Sequence, residues 1–176
     1  YGEDPSKVSI TNLVSNVGVV GTDVAGVGTV KSYSSACGYG EDKGIFRGGN
    51  NSSWACISLT NLVSNVGVVA DDVAGVGTAR YYMGACEYGG DKGIFGFGHD
   101  CSSAPSFYMS MTNLVSNAGV VATDTAGVGT ARIAVSACGY GGDKGIFGYG
   151  RTAASMGVSM TNLVSNAGVV ATDTAG

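Results

Sequence analysis

The sequence predicts an all-β fold, a β-propeller of four-stranded antiparallel blades with about three and a half blades in this chain. A block reading Thr-Asn-Leu-Val-Ser-Asn, then Val or Ala, then Gly-Val-Val recurs at Thr11, Thr60, Thr112 and Thr161. The spacings of 49, 52 and 49 residues match one propeller blade or one solenoid coil. Glycine contributes 31 residues and proline only 2, which favours tightly turned strands over long helices. A β-solenoid or an open repeat stack is the alternative architecture.

The third full repeat shows how each element is predicted. Small and β-branched residues at 133–138 predict a tightly packed inner strand, and the glycine-rich segment 139–143 predicts a chain reversal. Residues 144–150 predict the second strand of a hairpin. Apolar and polar side chains alternate along 158–165, which predicts the third strand, and 168–173 predicts the fourth.

The same pattern organises the whole chain, 1–176, as a single repeat domain. Three full units cover 28–76, 77–128 and 129–176, and residues 1–27 carry strands three and four of another unit, which gives fourteen strands. Both ends of the chain fall inside a repeat, and closed propellers usually need about four to eight blades. We therefore expect a homo-oligomer or a longer repeat chain to complete a ring or array, and two chains would supply the strands of seven blades.

Composition excludes several classes of protein. Hydrophobic residues make up 44% of the chain, too many for intrinsic disorder. The net charge is −4 and no run of Lys or Arg builds a phosphate-binding surface, so nucleic acid is not an expected partner. No apolar stretch reaches the roughly 18 to 20 residues of a membrane span. No cofactor is expected, because the Gly-Val-Gly segments lack the Lys-Ser or Lys-Thr of a phosphate loop.

Two short motifs resemble kelch-like repeats. Thr-Ala-Arg precedes an Ala-rich strand at Arg80 and Arg132, and an apolar strand ends in glycine at 94–98 and 146–150. Kelch-like repeats usually carry an adjacent glycine pair after the second strand, which is present here only in Arg47-Gly48-Gly49. The resemblance covers essentially the whole chain and implies a β-propeller. The units are also similar to repeats of uncharacterised proteins of environmental bacteria and phages, which implies the same fold but no established activity.

The five cysteines fall into two groups. Cys37, Cys86 and Cys138 share one repeat position, so they should lie a full unit apart, beyond the roughly 7 Å between Cα atoms that a disulfide allows. We expect these three to be small buried thiols. Cys56 and Cys101 fall in the variable segments of successive repeats, where they can stay free or pair with each other.

Recurring polar residues are expected to be structural. The asparagine of each Thr-Asn-Leu-Val block lies among apolar neighbours and should bond backbone at a turn or blade edge. The cation after each Gly-Thr turn, an arginine in two units and Lys31 in the first full unit, should pair with a carboxylate. Aspartates at equivalent turns should bond their own backbone. A ring of these aspartates binding Ca²⁺ is the alternative, but no Asp-x-Asp-x-Asp-Gly loop is present, so no metal site is expected. The residues are Asn12, Asn61, Asn113, Asn162, Arg80, Arg132, Asp91 and Asp143.

The segments between the second and third strands differ from unit to unit, which makes them the candidate binding surface. They supply aromatic, amide and guanidinium groups suited to a sugar or protein partner. The single histidine leaves no multi-His metal site, and no catalytic residue is predicted. The candidate binding residues are Arg47, Asn50, Asn51, Trp54, Phe97, His99, Phe107, Tyr108 and Arg151.

These features predict a non-enzymatic interaction or structural module. It should bind protein or glycan through the variable loops, at an extracellular place such as a virion or cell surface. One alternative is a carbohydrate-active propeller enzyme, such as a hydrolase or oxidase, that uses His99 and Asp100. Another is a fibre-forming protein whose repeats stack end to end.

Overall fold

The computed structural model describes the backbone of residues 2–3 and all of residues 6–101 and 107–176. These residues form eleven strands and no helix, which confirms the all-β prediction. Accordingly, no described segment is a helix able to cross a membrane. The strands are β1 (Gly2–Glu3), β2 (Lys7–Val8), β3 (Ser35–Tyr39), β4 (Lys43–Arg47), β5 (Thr60–Val63), β6 (Gly84–Tyr88), β7 (Lys92–Gly96), β8 (Thr112–Val115), β9 (Ser136–Tyr140), β10 (Lys144–Gly148) and β11 (Thr161–Val164).

After the β1–β2 hairpin, three antiparallel three-stranded sheets follow in chain order, β3-β4-β5, β6-β7-β8 and β9-β10-β11. The middle strand of each sheet pairs with both neighbours, so that Ile146 of β10 lies opposite Cys138 of β9 and Leu163 of β11. Gly141 and Gly142 have positive φ in the turn between β9 and β10, a conformation that glycine adopts without steric cost. Each sheet is therefore one copy of the same meander.

The prediction of a continuous fourth strand at 168–173 is wrong. It joins β11 only through two isolated bridges, Thr161 with Thr174 and Val164 with Val170. Between these bridges the outer segment has one residue more than β11, which is the geometry of a β-bulge. Equivalent pairs of bridges occur in the other repeats, so the sheets have three strands and the described residues do not contain the fourteen strands expected.

The recurring asparagine occupies the space that the bulge opens. Asn162 Nδ2 donates to the carbonyl of Ala171 at 3.0 Å, a bond between side chain and backbone inside the interrupted ladder. Asn61 and Asn113 make the same bond at 3.1 Å. The asparagine thus holds the outer segment in place where backbone pairing fails.

The inner strands begin later than predicted. In the third repeat the strand starts at Ser136 rather than at 133, because Ala134 has φ of 53° and interrupts the extended backbone. Tyr33 and Tyr82 occupy the equivalent position and have φ of 55° and 54°. The chain therefore bends sharply before each inner strand, beside the variable loops.

Neighbouring sheets pack face to face through apolar side chains. Each interface joins residues of the first two strands of one unit to a phenylalanine and valines of the next unit. Phe95 and Phe147 are fully buried there, and burying such a ring contributes about 1.5–3 kcal/mol. The core of the molecule thus lies between the sheets. Its main residues are Tyr39, Ile45, Met83, Phe95 and Val115 in one interface and Tyr88, Ile94, Val135, Phe147 and Val164 in the other.

Each full unit contains a hydrogen-bond chain that runs from a buried cation through Asn and Asp to Thr. In the second unit Arg80 donates to Asn113 Oδ1, and Asn113 Nδ2 donates to Asp124 Oδ1 at 2.9 Å. Asp124 Oδ2 accepts bonds from the backbone N and the hydroxyl of Thr78, both at 2.8 Å. We call this arrangement the cation–amide chain. Its other copies are Lys31, Asn61, Asp72 and Thr29, and Arg132, Asn162, Asp173 and Thr130.

The cations of these chains are fully buried, which the sequence did not indicate. Burial, with repulsion from Arg47, lowers the pKa of Arg80 to about 10, and burial lowers the pKa of Lys31 to about 8. Burial also disfavours ionisation of Asp124, but hydrogen bonds from Thr78 and Asn113 outweigh it and lower the pKa of the carboxyl. Arg80 Nη2 and Asp124 Oδ1 are 3.9 Å apart. The hydrogen bonds through the Asn113 amide are shorter than this direct ion pair.

Two of the three recurring cysteines, Cys37 and Cys86, lie at the interfaces between sheets. A Cβ atom at Gly93 would lie 2.6 Å from Cys37 Sγ, and one at Gly145 would lie 2.6 Å from Cys86 Sγ. Burial raises the pKa of both thiols to about 12. Cys138 is exposed, so the expectation of a buried thiol is wrong there. The face of the third sheet that carries Cys138 has no further sheet packed against it within the described residues.

Adding a methyl group at Gly93 tests this packing. We expect Gly93→Ala to destabilise the protein by about 1–3 kcal/mol, as overpacking does, because a Cβ there lies 2.6 Å from Cys37 Sγ and 2.9 Å from the carbonyl of Gly38. Gly44 is the matched control, since its nearest neighbour would be Val63 Cβ at 3.6 Å. Gly44→Ala should be neutral or stabilise by up to about 1 kcal/mol. Denaturant titration measures both changes, and equal losses would contradict the packing described.

Candidate functional site

The variable segments of the three units share one backbone arrangement. In the second unit, His99 forms antiparallel bridges with Tyr81 on one side and Tyr108 on the other. Asn50 and Arg151 occupy the same position in the first and third units. The fold therefore presents a different polar side chain at one fixed place in each unit.

Aromatic side chains gather around His99. The aromatic loop cluster consists of Tyr81, His99, Phe107, Tyr108 and Arg151. The His99 ring stacks on Phe107, with centroids 5.2 Å apart and planes at 15°, and its centroid lies 4.8 Å from that of Tyr81. Arg151 Nη2 donates to the hydroxyl of Tyr108 at 3.2 Å. Because Arg151 belongs to the third unit, the cluster joins two units.

A cleft of about 650 Å³ opens beside the aromatic loop cluster. His99, Phe107 and Tyr108 line one side, and Thr130 and the segment 152–154 line the other. Phe107 is 37% exposed, so its ring is accessible from the solvent. The volume falls in the range of about 300–1,000 Å³ that is typical of ligand sites.

Two buried nitrogen atoms of the cluster have no hydrogen-bond partner within the part of the chain that the structure describes. They are His99 Nδ1 and Arg151 Nε. An unpaired buried polar group costs about 1–3 kcal/mol. Burial, with repulsion from Tyr82 and Tyr108, raises the pKa of Tyr81 above its usual value.

Two further tyrosines extend the aromatic surface. Tyr33 and Tyr82 have ring centroids 4.7 Å apart, and Tyr82 lies 4.8 Å from Tyr81. These three tyrosines were not among the predicted binding residues. A comparison of the units could have pointed to these tyrosines, because the third unit carries Ile133 and Ala134 at the positions of Tyr81 and Tyr82.

A disulfide between Cys56 and Cys101, with Cα atoms 5.5 Å apart, holds the loops together. The sequence left this pairing open, and the structure shows it. The bond links the variable segments of the first and second units. Cys56 Sγ also lies 3.8 Å from the carbonyl oxygen of His99. The loop that carries His99 is therefore tied to its neighbour.

Trp54 and Asn51 lie apart from the cleft. Trp54 is 60% exposed, and Lys7 Nζ lies 3.8 Å from the centroid of its ring. Asn51 Oδ1 accepts bonds from the backbone N atoms of Ser53 and Ala55 at 3.0 and 3.1 Å, so its side chain shapes the loop. Part of the variable segment of the second unit, 102–106, lies outside the described residues.

Three of the predicted binding residues, Arg47, Asn50 and Phe97, are buried, so the expectation that they form a loop surface is wrong. Arg47 is 1% exposed, and its Nη2 donates to Asn113 Oδ1 at 3.2 Å. Phe97 is fully buried and meets the ring of Phe147 edge to face, with centroids 5.2 Å apart. Asn50 is buried with a carboxamide oxygen that accepts a bond from Ser32. All three support the framework.

The turn aspartates pair with neighbouring side chains. Asp91 and Asp143 form ion pairs of 2.7 and 2.6 Å with the lysines that follow them, and Asn117 donates to Asp91 at 2.9 Å. Within residues 6–101 and 107–176, no group of three or more His, Cys, Asp or Glu is placed to hold a metal ion.

No protein-family model and no curated protein matches this sequence. Among solved structures, the structure of YjhT is similar to this chain, with a TM-score of 0.68 and 13% sequence identity. The match covers 89% of this chain and 49% of the YjhT chain, so the protein spans about half the length of that structure. The likeness concerns the fold alone, and it agrees with an all-β, propeller-like arrangement of the three sheets.

Proposed function

We propose that the protein is a non-enzymatic interaction module of the β-propeller type that binds a glycan or protein partner through the aromatic loop cluster. One observation carries the proposal. The position that varies from unit to unit, occupied by Asn50, His99 and Arg151, is fixed in the backbone, and at His99 it borders a cleft whose lining includes the exposed ring of Phe107. A constant scaffold with variable side chains at one place is the usual design of a repeat binding protein.

The chemistry of the cleft suits a sugar. The stacked rings of His99 and Phe107 offer a flat apolar surface for the C–H face of a pyranose. Arg151 is half-buried and donates to the hydroxyl of Tyr108, which lines the cleft, so its guanidinium lies at the edge of the cleft and can bond hydroxyl or carboxylate oxygens. A uronic or sialic acid would use both the rings and the guanidinium.

We propose further that the three sheets are blades of a kelch-like propeller. Support comes from the position of the kelch glycine pair, where both residues have positive φ in every unit, at Gly48-Gly49, Phe97-Gly98 and Tyr149-Gly150. The backbone conformation of a glycine pair is thus kept where an aromatic residue replaces the first glycine. Such blades would join a ring or array formed with further units, in an oligomer or in a longer repeat chain.

An extracellular place, such as a virion or cell surface, fits the disulfide between Cys56 and Cys101. Disulfides persist mainly in oxidising compartments and are rare in the reducing cytosol. The bond supports the proposal without identifying the surface.

A glycan array that includes acidic sugars, followed by calorimetry with the best binder, tests the function. We expect Phe107→Ala and Arg151→Gln each to weaken binding at least tenfold, because they remove the stacking ring and the guanidinium. Trp54→Ala is the matched control, since Trp54 is an exposed aromatic residue outside the cleft, and it should leave binding unchanged.

Two results would contradict the proposal. One is the absence of any binder among glycans and candidate proteins for a chain that folds normally. The other is turnover of a carbohydrate that His99→Gln or Asp100→Asn abolishes, which would establish the enzyme alternative instead.

A further inference from the structure

Two tyrosines beside the aromatic loop cluster lie where the chain bends before an inner strand. Tyr33 and Tyr82 have positive φ at this bend in the first and second units, and Ala134 is their equivalent in the third. The units are joined there, because Tyr82 N donates to the carbonyl of Tyr33 at 3.4 Å and Ala134 N donates to that of Tyr82 at 3.1 Å. The three bends therefore form one hydrogen-bonded series across the units.

Tyrosine is an unfavourable residue at this bend. Positive φ crowds any side chain that has a Cβ atom, and it is uncommon for a bulky residue. Ala134 keeps the same bend, with φ of 53°, and the same hydrogen bond to the preceding unit, although its side chain is only a methyl group. The framework thus requires the bend and does not require a tyrosine ring. Strained residues of this kind are concentrated at ligand sites.

The tyrosine rings continue the aromatic loop cluster. Phe107 stacks on His99, and the centroid of His99 lies 4.8 Å from that of Tyr81. The next centroids along the surface are also close, 4.8 Å from Tyr81 to Tyr82 and 4.7 Å from Tyr82 to Tyr33. The ring planes in these tyrosine contacts are tilted by 43° and 52°, so no ring covers the whole face of the next. Five rings therefore form one continuous aromatic surface.

Tyr81 and Tyr82 remain accessible between two neighbouring units. Both belong to the second unit, which has a described unit on either side, and both are partly exposed. At the position of Tyr81, the first and third units carry Ser32 and Ile133, which are each 3% exposed. The second unit therefore brings an aromatic side chain to the surface where its neighbours have a buried residue.

The surface combines one cationic subsite with several aromatic ones. Arg151 is the guanidinium of the aromatic loop cluster and belongs to the third unit, whereas Tyr33 belongs to the first. A ligand that reaches from Arg151 to Tyr33 thus crosses all three units. Guanidinium groups bind carboxylates, and aromatic faces with hydroxyls suit the C–H faces and hydroxyls of neutral sugars.

We propose that the site takes a linear oligosaccharide that has a uronic acid at one end, followed by neutral sugar residues that lie over Tyr81, Tyr82 and Tyr33. This inference rests on the proposed function and extends it, because it assigns the length of the chain and the order of its sugars. The carboxylate of the uronic acid pairs with Arg151. Tyr82 determines the preference for a longer chain, since its ring contacts both of the other tyrosines.

Four probes test the preference for chain length, namely glucuronic acid alone and glucuronic acid linked to one, two or three xylose residues. Xylose has no exocyclic hydroxymethyl group, so either face can lie against a ring. We expect the dissociation constant, measured by nuclear magnetic resonance titration, to fall at least tenfold from glucuronic acid to the longest probe. Tyr82→Ala should remove most of this gain and should change the binding of glucuronic acid alone less than twofold. The variant should fold, because Ala134 already has the backbone conformation that the new alanine needs.

Tyr149→Ala is the matched control for Tyr82→Ala. Tyr149 is an exposed tyrosine with φ of 61°, and it is not among the residues that line the cleft. Its replacement should leave the binding of all four probes unchanged. Phe107→Ala and Arg151→Gln should weaken the binding of every probe, including glucuronic acid alone.

Four results would overturn the extended site. Equal affinity for the four probes, or a gain that survives in Tyr82→Ala, would leave the proposed function standing with a single sugar subsite. Absence of binding by every probe also overturns it, and the proposed function fails with it only if the glycan array and the candidate proteins give no binder. Proline-rich segments also dock on aromatic surfaces. Binding of a decaproline peptide that Tyr82→Ala abolishes, with no gain from the xylose residues, would therefore assign the tyrosines to a protein partner instead.

Discussion

Replacing Asn113 with alanine should destabilise the protein by about 3 kcal/mol, because leaving a buried donor or acceptor unsatisfied costs about 1–3 kcal/mol and more for charged groups. Two buried guanidinium groups, those of Arg80 and Arg47, donate to Asn113 Oδ1. The carboxamide also donates to Asp124 at 2.9 Å, so its loss removes the hydrogen-bonded link between the cations and the carboxylate. Denaturant unfolding measured by circular dichroism gives the change in free energy.

The repeat supplies a graded control series for Asn113→Ala. Asn162 accepts a bond from one buried arginine, Arg132, so Asn162→Ala should cost less than Asn113→Ala. Asn12 makes the same bond to aspartate, with Asp23 at 2.8 Å, but it is exposed and no buried cation is bonded to it within the described residues. Asn12→Ala should therefore change stability by less than about 1 kcal/mol. Equal losses at the three sites would show that the buried cations are not what makes the amide important.

Removing the disulfide with Cys56→Ser and Cys101→Ser together should lower the free energy of unfolding by about 2–4 kcal/mol. The bond spans 45 residues of sequence and links the loops of two units. Its loss enlarges the unfolded ensemble and frees the loop that carries His99. The double variant should therefore also lose near-ultraviolet circular dichroism from the aromatic loop cluster.

Cys138→Ser is the control for the disulfide, because this thiol is free and exposed. It should leave the unfolding midpoint unchanged, with or without reductant. Reductant should shift the wild type to the midpoint of the double variant. A wild type with the same midpoint in both conditions would mean that the pairing adds nothing to stability.

The sequence predicted the parts of the fold that depend on local patterns. The glycine turn and the hairpin of β9 and β10 follow from residue types at fixed spacing, and they are present. The continuity of the predicted fourth strand, 168–173, was overestimated. The side chain of Asn162 bonds the carbonyl of Ala171 at a β-bulge, and a period-two pattern in the sequence does not reveal such a bulge. The start of the inner strand was missed because nothing in the sequence marks positive φ at Ala134.

The candidate site was predicted only in part. Variability between units pointed to His99, Phe107, Tyr108 and Arg151, and the structure brings these four side chains together. It also pointed to Phe97, which is buried under the guanidinium of Arg132, 4.6 Å from its ring centroid. Burial of that kind depends on packing between units that are distant in sequence, so a pattern read along the chain does not separate a loop side chain from one that folds back into the core.

The cation–amide chain has a consequence for how such a protein can grow. The cation of each cation–amide chain, Lys31, Arg80 or Arg132, finds its amide and carboxylate within its own repeat. A gene duplication or deletion that adds or removes one whole repeat therefore leaves each of these three cations with its own partners. Repeat number can change in evolution at little electrostatic cost, whereas a break inside a repeat separates charge from partner.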